Sequence, residues 1–291
     1  MLEKSHQVDK IIQLDGLFIE KRSIWLWQFW LFILGIQDSI WEKTSKKLQE
    51  LTKKENCVFI QIESNNYHQE SLHVAEIQKW EYKKFITPYT AIIDLDLSEE
   101  DILANMKPKW RYNIKVAEKK WIIVHKVEKT GENIKKYFDI MKETTSRDNF
   151  SGNTLDYYKI FLQTLKNSEL FLAYKDEEVV AGGIFVFQDS QAIYYYWAST
   201  SQKKYRNMMA PYLLQWNAIL EAKSRNCKIY DFLGVAWPNE KNSPLEWVTS
   251  FKSKLTKNIV KVSSSFICIN KRFHYTVLVL RKKIKKILFK K

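Results

Sequence analysis

Apolar and polar positions along the chain follow two rhythms. The runs "CVFIQIE" (57–63), "TAIIDLDL" (90–97), "LFLAYK" (170–175), "EVVAGGIFVF" (178–187), "QAIYYYWAST" (191–200), "KIYDFLGV" (228–235) and "NIVKVSSSFICI" (258–269) are short and rich in β-branched and aromatic residues. Each is flanked by polar residues, which predicts strands. The most apolar run, "IWLWQFWLFILGI" (24–36), is too short to span a bilayer and contains Gln28, so it is read as a buried strand. Helical spacing fills the intervals. Ser39 can cap a helix running through Leu48 and Leu51, and Ser98-Glu99-Glu100-Asp101 is a capping-box pattern opening a helix that should break at Pro108. Further helices are predicted over 131–145, 154–166, 210–224 with Pro211 in the first turn, and 244–254.

One stretch departs from local rules. In "MKPKWRYNIKVAEKKWIIVHKV" (106–127), Ile114 and Ala117 have helical spacing, Lys119 and Lys120 close the last turn, and Ile122-Ile123-Val124 begins a strand. Glycine is the expected residue between helix and strand, because it enters the left-handed region without a Cβ clash. The chain has Trp121 there.

The alternation of elements implies an α/β (α+β) chain with mixed sheets, divided near Thr87-Pro88. At 291 residues with 45% hydrophobic and 14% aromatic content, it can build one large or two ordinary cores. The formal charge of +14 favours phosphate-bearing partners or an anionic membrane surface, although a solvated lysine-rich surface has the same composition. Cys57, Cys227 and Cys268 are odd in number and far apart, which suits buried thiols in a reducing compartment. The five histidines make no metal-ligand spacing, so no metal is expected, and no Ser-His or Cys-His constellation can be assembled. The N-terminus lacks the apolar region of a signal peptide. At the other end, seven of the eleven residues in "RKKIKKILFKK" (281–291) are basic, with Ile284, Ile287 and Leu288 at helical spacing. Such a helix can lie on anionic lipid, or pack on the body and fray into a lysine tail.

The segment from 178 to 235 resembles an acetyltransferase-type fold. In such enzymes a glycine-rich loop at a helix N-terminus cradles the coenzyme A pyrophosphate. The equivalent segment here, "SQKKYRNMMAPYLL" (201–214), supplies Lys203, Lys204 and Arg206 but no glycine, which counts against coenzyme A as acyl donor. A more specific resemblance rests on "IIDLDLSEEDILANMKPKWRYNIKVAEKK", "SRDNFSGNTLDYY", "IYYYWASTSQKKYRNMMAPYLLQWNAI", "YDFLGV" and "PLEWVTSFKSKL". Together, in this order, they resemble the FemABX family of peptidoglycan bridge-forming aminoacyltransferases over about residues 28 to 265.

That resemblance implies two tandem acetyltransferase-like (GNAT-type) domains. The first would span 1–88, N-terminally shortened and joined by the returning segment 267–291; the second would span 89–266 and carry the reaction centre, with no coiled-coil arm. It further implies a cytoplasmic reaction; a monomer is expected, and the basic segment 271–291 offers peripheral contact with the inner face of the plasma membrane. The enzyme would pass an amino acid from aminoacyl-tRNA, its co-substrate, to the side-chain amine of a stem peptide on lipid II or UDP-muramyl-pentapeptide, with no other cofactor. The family's Phe-Lys pair falls at Phe251-Lys252, with Lys252 steadying the tetrahedral intermediate and Phe251 shaping the pocket. Tyr157 and Tyr196 match positions that contact the muramyl peptide, and Arg147, Lys109, Arg111 and Arg206 are basic positions that could meet phosphate. The alternatives are a coenzyme A-dependent N-acyltransferase and a non-catalytic RNA- or membrane-binding relative.

The chain departs from the family at Asn153, where an Arg is frequent, and at Leu255-Thr256-Lys257 in place of Phe-Gly-Gly. It has only seven glycines but eleven tryptophans, whereas glycine averages about 7% of residues. Trp110, Trp121, Trp197 and Trp247 stand at or next to positions where the family commonly has glycine. A gene in which UGA encodes glycine, translated by the standard code, would give this pattern; a genuinely tryptophan-rich core is the alternative. Under the first reading these tryptophans should be crowded or strained.

Overall fold

A computed structural model describes residues 8–15, 17–24, 28–34, 38–63, 89–188, 190–236, 246–262 and 266–288. In chain order the elements are β1 (Val8–Leu14), β2 (Leu17–Ser23), β3 (Phe29–Leu34), α1 (Asp38–Lys54), β4 (Phe59–Glu63), β5 (Tyr89–Asp94), α2 (Glu99–Asn105), α3 (Pro108–Lys119) and β6 (Ile122–Val127). They continue as α4 (Gly131–Asp148), α5 (Leu155–Thr164), β7 (Ser168–Lys175), β8 (Glu178–Gln188), β9 (Gln191–Ser199), α6 (Lys203–Arg206), α7 (Ala210–Ser224), β10 (Ile229–Gly234), α8 (Glu246–Lys252), β11 (Ile259–Lys261), β12 (Phe266–Ile269) and α9 (Arg272–Leu288). The chain separates into two compact units, Met1–Pro88 with Lys261–Lys291, and Tyr89–Val260.

In the first unit a five-stranded sheet runs β1-β2-β3-β4-β12, with β3 and β4 parallel and the other pairs antiparallel. Ile19, Leu31, Ile33, Leu48, Ile60 and Ile62 fill one core cluster of this unit, while Trp30, Phe59, Tyr275 and Leu278 belong to another. β1 and β2 fall outside the predicted elements. β1 is an edge strand, half buried and interrupted by Asp9 and Lys10, so its hydrophobic pattern is weak. The run 258–269 is also not one strand: β11 and β12 belong to different sheets.

The second unit holds a seven-stranded mixed sheet, β11-β5-β10-β9-β8-β7-β6, in which β10 and β9 run parallel. Its local signals behave as expected. Ser98 caps α2 by accepting from the Asp101 amide at 3.0 Å, and α2 stops before Pro108, which opens α3. Helices α3 and α7 share a buried cluster with Phe185, Tyr194 and Phe232 of the sheet. Helices α4 and α5 contribute Tyr137, Tyr158 and Phe161 to buried aromatic contacts that include Tyr196 of β9. Gly182 and Gly183 of β8 make this two-sided packing feasible. A Cβ at Gly182 would meet the Tyr137 ring at 2.8 Å, and one at Gly183 would meet the Phe185 ring at 2.8 Å and Leu214 at 3.1 Å.

The shortage of glycine is written into the backbone. Among non-glycine residues with positive φ, Asp15, Asn56, Asn149, Asp176 and Asn226 have short polar side chains that tolerate the left-handed region. Trp121 (φ 58°), Met209 (φ 60°) and Leu233 (φ 57°) do not, and each occupies a point where the chain must turn sharply. Trp121 is 77% exposed, so no burial offsets its strain. Trp110 is fully buried, and its indole N–H has no hydrogen-bond acceptor among the described residues. Trp197 is partly buried against the core, and the side chain of Trp247 lies outside the described residues.

Trp121→Gly should raise the unfolding free energy by about 1 kcal/mol in urea melts, because it relieves a left-handed residue at little cost in buried surface. Trp121→Ala, which keeps a Cβ, should show no such gain.

Candidate active site

The Phe-Lys pair lies at the C-terminal end of α8. Lys252 is only 8% exposed, and its ammonium donates to the carbonyl oxygens of Leu233 at 3.0 Å and Gly234 at 2.8 Å. An ammonium has three N–H donors, so two go to the end of β10. Those carbonyls are accessible because β10 is bulged. Asp231 pairs with Ile92 and Gly234 with Thr90, so β10 has one residue more than β5 in this interval. The bulge holds Leu233 in its left-handed conformation.

Asp231 holds the bulge. Its buried carboxylate accepts from the Leu233 amide at 2.7 Å and from the Thr90 hydroxyl of β5. An aspartate amid the apolar residues of "KIYDFLGV" signals a buried partner, because an unpaired carboxylate there would be very costly. Reading "YDFLGV" only as a family motif misses this role. Burial is the larger influence on Lys252 and pulls its pKa down from 10.5 to about 8, while the Asp231 charge pushes it back up. The lysine is therefore predominantly an ammonium at neutral pH. Between about pH 8 and 10.5 the unfolded chain binds the proton that the folded chain has released, so folding stability rises with pH across that window.

Phe251 is surrounded by rings from three other elements. It stacks on Trp197 of β9 with centroids 5.9 Å apart and planes at 5°, and it meets Trp110 of α3 edge-on at 4.9 Å. Tyr212 of α7 lies 6.3 Å from Phe251 and 4.3 Å from Trp110. Trp110 and Tyr212 belong to this wall without having been singled out for it in the sequence. A cavity of about 690 Å³ adjoins the segment that follows α8, lined by Ile92, Met106, Lys107, Arg111, Leu255 and Lys257 among others. Asp94 and the cations Lys107, Arg111 and Lys257 are among its lining residues.

The remaining expected residues are divided. The Tyr157 and Tyr196 hydroxyls lie 2.9 Å apart and the rings meet edge-on. Tyr196 faces α5, whereas its neighbour Trp197 faces Phe251, so β9 places the tyrosine pair and the Phe-Lys pair on opposite faces of the sheet. Simple alternation of Tyr194, Tyr195 and Tyr196 fails: a bulge opposite Ile184 and Phe185 lets both Tyr195 and Tyr196 contact Phe161. Arg147 pairs with Asp148 at 2.8 Å and donates to the carbonyls of Ser199 and Thr200, tying α4 to the end of β9. Arg111 caps the C-terminal end of α2 by donating to the carbonyls of Leu103, Ala104 and Met106. Lys109 and Arg206 are exposed, on α3 and α6 respectively.

A mixed sheet flanked by helices, with a buried lysine at the end of a bulged strand, suits the acyltransferase class. The profile of the FemAB family matches residues 76–178 and 164–283, so the chain belongs to the FemAB family. At that level it is a transferase of peptidoglycan bridge formation. The crystal structure of FemX superposes with a TM-score of 0.72 over 92% of this chain and 89% of that one, at 16% identity. The C-terminal domain of a candidate lysylphosphatidylglycerol synthetase from Agrobacterium fabrum gives 0.58 over 97% and 89%, at 11% identity. L-PGS from Bacillus licheniformis gives 0.54 over 94% and 88%, at 13% identity. At these identities the likeness is one of fold, and the FemX match bears out the expected α/β architecture with mixed sheets. No curated protein sequence matches the chain.

Asp231→Ala should lower the unfolding free energy by about 2 kcal/mol or more in chemical denaturation, because it leaves buried donors on Thr90 and Leu233 without their acceptor. An unchanged midpoint would show that the carboxylate does not hold the bulge.

Proposed function

We propose that the chain transfers an amino acid from aminoacyl-tRNA to the side-chain amine of a peptidoglycan stem peptide carried by lipid II or UDP-muramyl-pentapeptide. The observation that carries this reading is the buried ammonium of Lys252, at the position of the family's Phe-Lys pair and anchored by two carbonyls. In the reaction the unprotonated amine attacks the ester carbonyl carbon. A C–N bond forms while the carbonyl π pair moves onto oxygen. The N–H of Lys252 not engaged by Leu233 and Gly234 then donates to the developing oxyanion. Collapse of the tetrahedral intermediate breaks the ester C–O bond, and the proton lost by the amine ends on the departing ribose hydroxyl.

Phe251, with Trp110, Trp197 and Tyr212 around it, lowers the local dielectric and gives the ester a rigid wall. The exposed cations Lys109 and Arg206 meet phosphate. Arg147 and Arg111 keep the loops beside them in place, and the Tyr157–Tyr196 pair, on the other face of the sheet, is left outside the reaction centre. The protein acts as a monomer in the cytoplasm, with no cofactor beyond its charged tRNA. Coenzyme A is disfavoured because Met209, rather than a glycine, occupies the left-handed position before α7.

Incubation with charged tRNA and UDP-muramyl-pentapeptide should give aminoacylated peptide by mass spectrometry. Lys252→Ala should lower the rate by about a hundredfold or more. The wild-type rate should climb with pH as the acceptor amine deprotonates, an ordinary lysine-type amine having a pKa of about 10.4, and should stop climbing near pH 8, where Lys252 loses its proton. Product formed only with acyl-coenzyme A, or an Ala variant of undiminished rate, would reject the reading.

A further inference from the structure

Helix α9 carries apolar residues on two opposite faces. On one face Tyr275 and Leu278 are buried and Val279 is partly buried, packed in the cluster that contains Trp30, Phe32 and Phe59. On the other, Phe273, Val277, Leu280 and Ile284 are between 42% and 77% exposed. Their spacings of four, three and four residues place them in one stripe along the helix. A surface helix anchored by one face normally presents polar side chains on the opposite face. Here the outward stripe is apolar, with Arg272 and Lys283 along one flank and His274 and Arg281 along the other, by helical periodicity. From Arg272 to the last residue, Lys291, the sequence contains no acidic residue.

We propose that the outward face of α9 is a docking surface for an anionic lipid bilayer, with the helix lying in the interfacial plane. The charge pattern selects this occupant. A second copy would bring two acid-free cationic helices together, and RNA would leave the apolar stripe without a counterpart. An anionic bilayer satisfies both features: the stripe enters the acyl boundary while the exposed Arg272 and Lys283 extend to phosphate. The inference stands independently of the transfer reaction. If both hold, the bilayer presents a lipid-linked acceptor to the enzyme.

The test is co-sedimentation of the full chain with vesicles of phosphatidylcholine alone, or of phosphatidylcholine mixed with phosphatidylglycerol. The chain should pellet with the mixed vesicles, and salt should weaken the binding. Phe273→Ser with Leu280→Ser should reduce partitioning about tenfold or more while leaving the thermal midpoint unchanged, since both side chains are exposed. Arg272→Gln with Lys283→Gln should reduce partitioning and flatten its salt dependence. Failure of the wild type to bind either vesicle would overturn the proposal. So would binding that survives the serine pair, or a dimer in sedimentation velocity that the serine pair abolishes without vesicle binding.

Discussion

The second unit is organised around one buried cation. Lys252 could have snorkelled to water from the end of a short helix, but its ammonium is held by two carbonyls of a bulged strand. That arrangement is stable only because each component supports another. Asp231 takes the Leu233 amide and supplies a compensating charge, Thr90 satisfies the carboxylate, and the bulge turns the carbonyls toward the amine. Without the carboxylate, burial alone would drive the lysine further toward its neutral form, which cannot steady an oxyanion as a charged donor.

The same region shows what a glycine-poor chain tolerates. Leu233 and Met209 hold left-handed conformations at the end of β10 and at the start of α7, respectively. Strain of this kind persists where surrounding contacts over-determine the backbone, and at Leu233 the anchoring bond to Asp231 is evident. Trp121 has no comparable burial, since its ring stands in solvent. That is the strain expected at residue 121 if glycine belongs there. The codons for Trp110, Trp121, Trp197 and Trp247 decide this: UGG at all of them would exclude it.

Much of the fold could be read from sequence because its signals are local. The Ser98 cap, the Pro108 break, the helix opened by Pro211 and the strands β5, β7, β8, β9 and β10 of the second sheet appear close to their expected boundaries. Signals that depend on tertiary pairing were not legible. β1 lacks a clean apolar face because it is an edge strand, and the apparent strand 258–269 hides a passage from one sheet to the other. At the site, the resemblance points to Lys252, Phe251, Tyr157 and Tyr196 as single residues, while their hydrogen bonds and ring contacts come only from the coordinates. Arg147 and Arg111 look from sequence like phosphate ligands. Only coordinates reveal that backbone carbonyls occupy their guanidinium groups. Likewise, nothing in the spacing of Tyr196 and Trp197 announces that one strand serves two faces.

The central claim is that Lys252 is a buried ammonium tuned by its surroundings. The most direct measurement is its own titration, followed by the 13C shift of its Cε in selectively labelled protein. The account predicts a midpoint near pH 8 for the wild-type chain, moving lower in Asp231→Asn. A midpoint near 10.5, the ordinary lysine value, in both proteins would contradict it.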